Sequence, residues 1–214
     1  MWPIDLLMFD LDGTLFDTKQ DLATAVNLTL EDFGLPSKPP ELIYTYVGDG
    51  VRKLLERSLD GFGAGHFERA LTLFRGHYMT HLTDTTCFYP GVISVLEHFN
   101  HKKKAVVTNK PAEYTNKLMQ DLNAHHHFDF IIGSDTTVRL KPHPDMILST
   151  LERLAVSPQR ALMIGDSVND IKAGQEAGVK VCAVGYGLGD RDGLKKAEPD
   201  FFCDNILELK EHIE

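Results

Sequence analysis

The chain has 214 residues, with 22 Lys and Arg against 31 Asp and Glu, a formal charge of −9. That length supports one hydrophobic core, alone or with a smaller insert, without help from a disulfide or a structural metal. The acidic balance argues against a protein that coats nucleic acid or an anionic membrane, but leaves room for a local basic pocket that takes a small phosphate ester. Three scattered cysteines, Cys87, Cys182 and Cys203, give no disulfide framework and no zinc spacing, which fits a reducing, cytoplasmic setting.

The opening residues MWPIDLLMFDLDGT have no basic leader and read as neither a signal peptide nor a spanning helix. Ile4–Phe9 is a short apolar run without alternation, the pattern of a strand buried on both faces. Further runs of this kind are Ala105–Val107, Phe128–Ile132, Ala161–Ile164 and Val179–Val184, with a weaker one at Asp200–Cys203. Amphipathic stretches at Gly91–Asn100, Pro111–Leu122, Pro144–Leu154 and Val168–Ala177 separate them. Strand and helix in alternation predict an α/β fold, a doubly wound parallel sheet covered on both faces.

Residues 17–84 break the alternation. Helical patterns recur at Leu22–Phe33, Pro40–Tyr46, Val51–Leu59 and Phe67–His81, punctuated by turn glycines Gly48, Gly50, Gly61, Gly63 and Gly65. The expected organisation is an α/β core from residues 1–16 and 85–214, with an α-helical insert at 17–84. The chain returns to the core near the Tyr89-Pro90-Gly91 turn.

Four short motifs carry the chemistry, each at the end of a predicted strand. Asp10-Leu11-Asp12-Gly13-Thr14 sends two carboxylates out of the first strand, and Gly13 lets the chain turn away. Read alone, the motif is either a solvated turn or a crowded acidic pair that calls for a hard cation. Thr108-Asn109 precedes a helix and reads either as a helix cap or as part of a phosphate cradle. Lys141-Pro142 offers a cation for phosphate charge. Gly165-Asp166-Ser167-Val168-Asn169-Asp170 places a second acidic pair one helical turn apart, unless Asp166 is simply the cap of the next helix.

In this order the motifs resemble those of the haloacid dehalogenase superfamily of phosphotransferases, over nearly the whole chain. The insert is similar to that superfamily's C1-type cap. Val47-Gly48-Asp49-Gly50-Val51-Arg52, Val106-Val107-Thr108-Asn109-Lys110-Pro111, Lys141-Pro142-His143-Pro144 and Gly185-Tyr186-Gly187 are similar to the phosphoglycolate phosphatases.

The resemblance implies a Mg²⁺-dependent phosphatase acting on a small phosphorylated metabolite, with 2-phosphoglycolate the best single guess. Asp10 would attack phosphorus to form an aspartyl phosphate, and Asp12 would give a proton to the leaving alkoxide and later take one from water. Mg²⁺ would be held by Asp10, the Asp12 carbonyl and Asp166, with Asp170 beside it. Lys141 and Thr108, with Asn109, would stabilise the transferring phosphoryl group, while Gly48 and Arg52 would read the leaving group. No nucleic acid or membrane partner is expected, and the assembly would be a monomer or homodimer. A sugar phosphomutase or a pyrophosphatase shares the chemistry. A receiver-like phospho-switch does not share the order of acids, and a phosphonate hydrolase, for which Lys53 would be the Schiff-base candidate, does not suit Asp12. His125-His126-His127 reads as a solvated loop, since consecutive histidines share no helix face.

Overall fold

The computed structural model describes residues 1–62, 65–135 and 139–214; the turn glycine Gly63 lies outside these. Its strands are β1 (Leu6–Phe9), β2 (Phe16–Asp17), β3 (Cys87–Phe88), β4 (Lys103–Val107), β5 (Phe130–Ile132), β6 (Ala161–Gly165), β7 (Lys180–Val184) and β8 (Phe201–Cys203). The helices are α1 (Lys19–Asp32), α2 (Pro40–Tyr44), α3 (Val51–Leu59), α4 (Phe67–Thr80), α5 (Val92–His98), α6 (Ala112–Asp121), α7 (Asp145–Leu154), α8 (Val168–Glu176), α9 (Arg191–Lys196) and α10 (Leu209–His212).

Among the described residues the main sheet has six strands in the order β5-β4-β1-β6-β7-β8, and every pairing in it is parallel. β1 lies inside, with Phe9 opposite Val106 on one side and Ile164 on the other. Leu7 and Phe9 pack into one apolar layer, Leu6 and Met8 into the other, and all four are fully buried. That two-sided burial is why the first run shows no alternation. The chain builds outward from β1 through β4 to β5, then crosses to β6 and builds the other way. Such a reversal opens a crevice beyond the carboxyl ends of the strands, where ligands of open parallel sheets bind. The ends of β1, β4 and β6 meet there.

Helices α1 to α4 fall between β2 and β3, within the stretch expected as the insert. β2 and β3 form a two-stranded antiparallel ribbon that brings the two connections together, with Phe16 opposite Phe88. Buried Asp21 fastens the same place: its carboxylate accepts from the backbone N–H and hydroxyl groups of Thr85 and Thr86 at 2.6–3.1 Å. The ribbon escapes sequence patterning because each strand is two residues long. Helices α9 and α10, six and four residues, are too short for a period to show. The histidine run forms a 3₁₀ turn, His125–His127.

Candidate active site

Asp10 follows β1 directly, and its N–H donates to Ile164 O at 2.9 Å. Asp166 follows β6, and Asp170 lies in the first turn of α8. Together Asp10, Asp166 and Asp170 place one oxygen each within 4.8 Å of the others, all buried. Lys141 joins them: its Nζ lies 2.9 Å from Asp10 Oδ1 and 2.5 Å from Asp170 Oδ1, and donates to Val107 O at 2.7 Å.

Asp166 is held on two sides. Thr14 Oγ1 donates to its Oδ1 at 3.0 Å, and the Leu188 N–H donates to its Oδ2 at 2.8 Å. The loop that carries Leu188 packs against this carboxylate through Gly187, where an added Cβ would stand 2.4 Å from Asp166 Cβ and 2.3 Å from Gly13 O. Gly13 has φ +84 and faces Asp166 equally closely, so a side chain is excluded there by conformation and by space. Tyr186 Oη donates to Thr14 O at 2.9 Å and completes the clamp.

Asp170 has less freedom than the sequence suggests. Its Oδ2 accepts from the N–H and hydroxyl of Ser167, at 3.0 and 2.6 Å, and its Oδ1 faces Lys141. Ser167, rather than Asp166, is the cap of α8, in a reciprocal capping box with Asp170. Asp166 is thereby released from capping and points into the crevice.

Three buried carboxylates face one ammonium, so the cluster is short of positive charge. Burial pushes the Asp10 carboxyl up to about 6; Lys141 opposes this and the charge on Asp170 adds to it. Burial, reinforced by Asp10 and Asp170, pushes Asp166 up to about 8. Asp10 Oδ1 is buried and, despite its closeness to Lys141, receives no aligned hydrogen bond. A buried oxygen without a donor, inside a cluster short of positive charge, suits a hard divalent cation.

Asp12 lies at the edge of this cluster. Thr18 Oγ1 donates to its Oδ1 at 2.6 Å, and Lys110 Nζ donates to both oxygens at 2.9 and 3.1 Å. Lys110 has no role in the sequence reading, although it stands inside a quoted motif. Its importance comes from two contacts distant in sequence, Asp12 and Tyr78, that no local pattern reveals.

A small cavity opens beside Asp10 and Asp12. Thr108, Asn109 and Lys110 line it from the core; Leu22, Val47, Gly48, Gly50, Val51, Leu54 and Tyr78 line it from the helical insert. Thr108 is buried, and its hydroxyl accepts from the Lys110 N–H at 3.2 Å. Asn109 is tied to Lys141 and Gly48: its Nδ2 donates to Lys141 O at 2.9 Å and Gly48 O at 3.2 Å, and its Oδ1 accepts from the Lys141 N–H at 2.9 Å. The helix after it starts only at Ala112, whose N–H donates to Asp135. That helix end is therefore engaged by Asp135.

Arg52 is not brought to the cavity. Its side chain is 63% exposed, its guanidinium lies over the Phe67 ring at 4.2 Å, and Glu56 and Glu68 stand beside it. Val51 and Leu54 occupy the inward face of α3, which turns Arg52 outward. Lys53 pairs with Glu56 and His143 with Asp145, both outside the cavity lining.

Among the described residues, no helix is long and apolar enough to cross a membrane. The haloacid dehalogenase-like hydrolase family model matches residues 7–184. The chain is 40% identical over 199 residues to a phosphoglycolate phosphatase of Aquifex aeolicus (strain VF5), covering 92% of this chain and 90% of that one. It is 36% identical over 212 residues to Phosphoglycolate phosphatase 1 of Pseudomonas aeruginosa, covering 95% and 78%. The crystal structure of a predicted phosphoglycolate phosphatase from Haemophilus somnus 129pt superposes with a TM-score of 0.93 at 29% identity, covering 99% of both chains.

Proposed function

Because the chain belongs to the haloacid dehalogenase-like hydrolase family, we propose that it is a phosphatase that releases phosphate from a small monoester, 2-phosphoglycolate best of all. One observation carries the chemistry: Asp10, Lys141 and the Asp166–Asp170 pair, from three separate segments, converge in one buried cluster, and Asp10 lines the cavity beside it. The names of the relatives support the choice of substrate.

Asp10 is the nucleophile. Its carboxylate oxygen forms a bond to phosphorus as the ester P–O bond breaks, which divides one displacement into two. Asp12, oriented by Thr18 and Lys110, delivers a proton to the departing oxygen and recovers one from the water that later attacks phosphorus. Lys141 holds Asp10 in place and offsets charge on the phosphoryl group, and Thr108 offers its hydroxyl from the cavity wall.

Asp10, Asp166 and the Asp12 carbonyl are the groups that would hold Mg²⁺, which when bound supplies positive charge at the reacting phosphoryl oxygens. Asp170 acts through Lys141. Helices α1 to α4 serve as a cap over the crevice, and two hydrogen bonds support this: Asn109 to Gly48 O at 3.2 Å, and Asn169 to Asp49 Oδ1 at 2.7 Å. Free thiols at Cys87, Cys182 and Cys203 fit a cytoplasmic setting.

The test is phosphate release over a panel of phosphoglycolate, sugar phosphates, pyrophosphate and nucleotides, with and without Mg²⁺. Phosphoglycolate is expected to give the highest kcat/KM, with no turnover in Asp10→Asn or after chelation. An isomerised sugar phosphate as product, or a preference for pyrophosphate, would reassign the substrate; full activity in Asp10→Asn would remove the mechanism.

A further inference from the structure

Lys110 is a buried cation that the mechanism above uses only to orient Asp12. Its side chain is 3% exposed. Besides the two Asp12 oxygens, its Nζ donates to Tyr78 Oη at 2.6 Å, and it lies 4.6 Å from the centroid of the Tyr78 ring. Tyr78 comes from α4 in the helical insert and is itself fixed, stacked on Phe74 and edge-on to Tyr114. Core and insert therefore hold one ammonium between them.

Burying a lysine and an aspartate together costs desolvation that their mutual attraction does not reliably return. Orientation of Asp12 alone would not require a full charge, since Thr18 already donates to it. Lys141 donates to Val107 O and Asp170, lies 2.9 Å from Asp10, and does not line the cavity. Of the described residues that line the cavity, Lys110 is the one that brings a cation to the space beyond Asp12, where a leaving group must sit; the neighbouring wall is Leu22, Val47, Val51 and Leu54.

We propose that Lys110, steadied by Tyr78, is the specificity-determining residue that receives a second anionic group of the substrate, a carboxylate close to the ester oxygen. The inference rests on the phosphatase reading and on Asp12 as its acid and base. Asp12 reaches the ester oxygen through one hydrogen bond, and Lys110 touches Asp12 through another. An anion gripped by Lys110 therefore stands only a few bonds from that oxygen. A short 2-phosphoxy acid, whose carboxylate carbon is two bonds from it, meets the requirement. A sugar phosphate brings neutral hydroxyls, which form weaker hydrogen bonds with an ammonium than a carboxylate does.

The test compares kcat/KM for 2-phosphoglycolate with that for its neutral amide, in the wild type, Lys110→Met, Lys110→Arg and Tyr78→Phe, with a thermal melt of each. The wild type is expected to prefer the acid. Lys110→Met loses activity on both substrates, through Asp12, but loses about 10- to 100-fold more on the acid, the range of a hydrogen bond to a charged group. Lys110→Arg retains most of the preference, and Tyr78→Phe lowers it in part. Should Lys110→Met not fold, these two variants decide. Equal losses on acid and amide in Lys110→Met, or an unchanged preference in Tyr78→Phe, would overturn the role of Lys110 and leave the phosphoglycolate reading standing. A wild type that turns over both substrates equally, or neither, would remove that reading and this inference with it.

Discussion

Lys141 Nζ and Asp170 Oδ1 are 2.5 Å apart, and both side chains are all but sealed from solvent. The contact links the segment before α7 to the first turn of α8 and leaves Lys141 within 2.9 Å of Asp10. In the proposed mechanism Asp170 therefore acts through Lys141, and Asp166 as a metal ligand.

That difference separates two variants. Asp170→Asn retains an acceptor for Ser167 but weakens the hold on Lys141, so kcat falls about 10- to 100-fold, as for other groups that orient a metal site from behind. Asp166→Asn removes a proposed direct ligand, so the Mg²⁺ concentration needed for half-maximal activity should rise much more than in Asp170→Asn. Magnesium titrations of both variants check this. An equal rise in the two would place Asp170 on the metal.

The acidic cluster also sets a pH dependence. Asp10 and Asp166 sit at about 6 and about 8 in the folded chain, above the ordinary 3.8. A carboxyl raised by folding binds more protons folded than unfolded, so its stabilising contribution is complete below about pH 4 and is lost as pH rises through the folded values. Metal-free protein should therefore lose melting temperature between about pH 5 and pH 8, and Mg²⁺ should restore most of it at the upper end. In Asp166→Asn the decline should be shallower. A melting temperature that climbs across this interval without metal, or a slope unchanged in the variant, would contradict the assignment.

Gly187→Ala tests the clamp on Asp166. Its new Cβ would collide with Gly13 O and with Asp166 itself. Overpacking of this kind costs about 1–3 kcal/mol, and here the strain falls on the carboxylate proposed to hold the metal. Both melting temperature and Mg²⁺ affinity should drop. A variant with normal metal affinity would mean that the loop around Leu188 does not position Asp166.

Arg52→Ala should leave kcat/KM within about threefold of wild type, the scale of an exposed ion pair. Steady-state kinetics on 2-phosphoglycolate suffice. A rise in KM of about tenfold or more would return Arg52 to the substrate.

The motifs that named the crevice were legible because each combines an apolar run with acids, a hydroxyl or a lysine at its end, and a parallel sheet gathers strand ends on one side. Asn109 and Arg52 have residue types that suit a substrate, but their orientation depends on packing. Asn109 is drawn away by Lys141 and Gly48, and Arg52 is turned outward by the apolar face of α3. Lys110 stayed silent for the complementary reason: its partner Asp12 lies 98 residues away in sequence, and only the folded chain brings them together. The β2–β3 ribbon and the Asp21 contacts that anchor the insert are likewise tertiary, built from stretches too short to carry a pattern.

The most direct measurement is to quench the enzyme in acid during steady-state turnover and map phosphorylation by peptide mass spectrometry. Covalent phosphate on Asp10, absent from Asp10→Asn and appearing at a rate that supports turnover, is the predicted result. Phosphate on another side chain, or sustained turnover in which no phosphorylated peptide can be trapped and Asp10→Asn remains active, would contradict it.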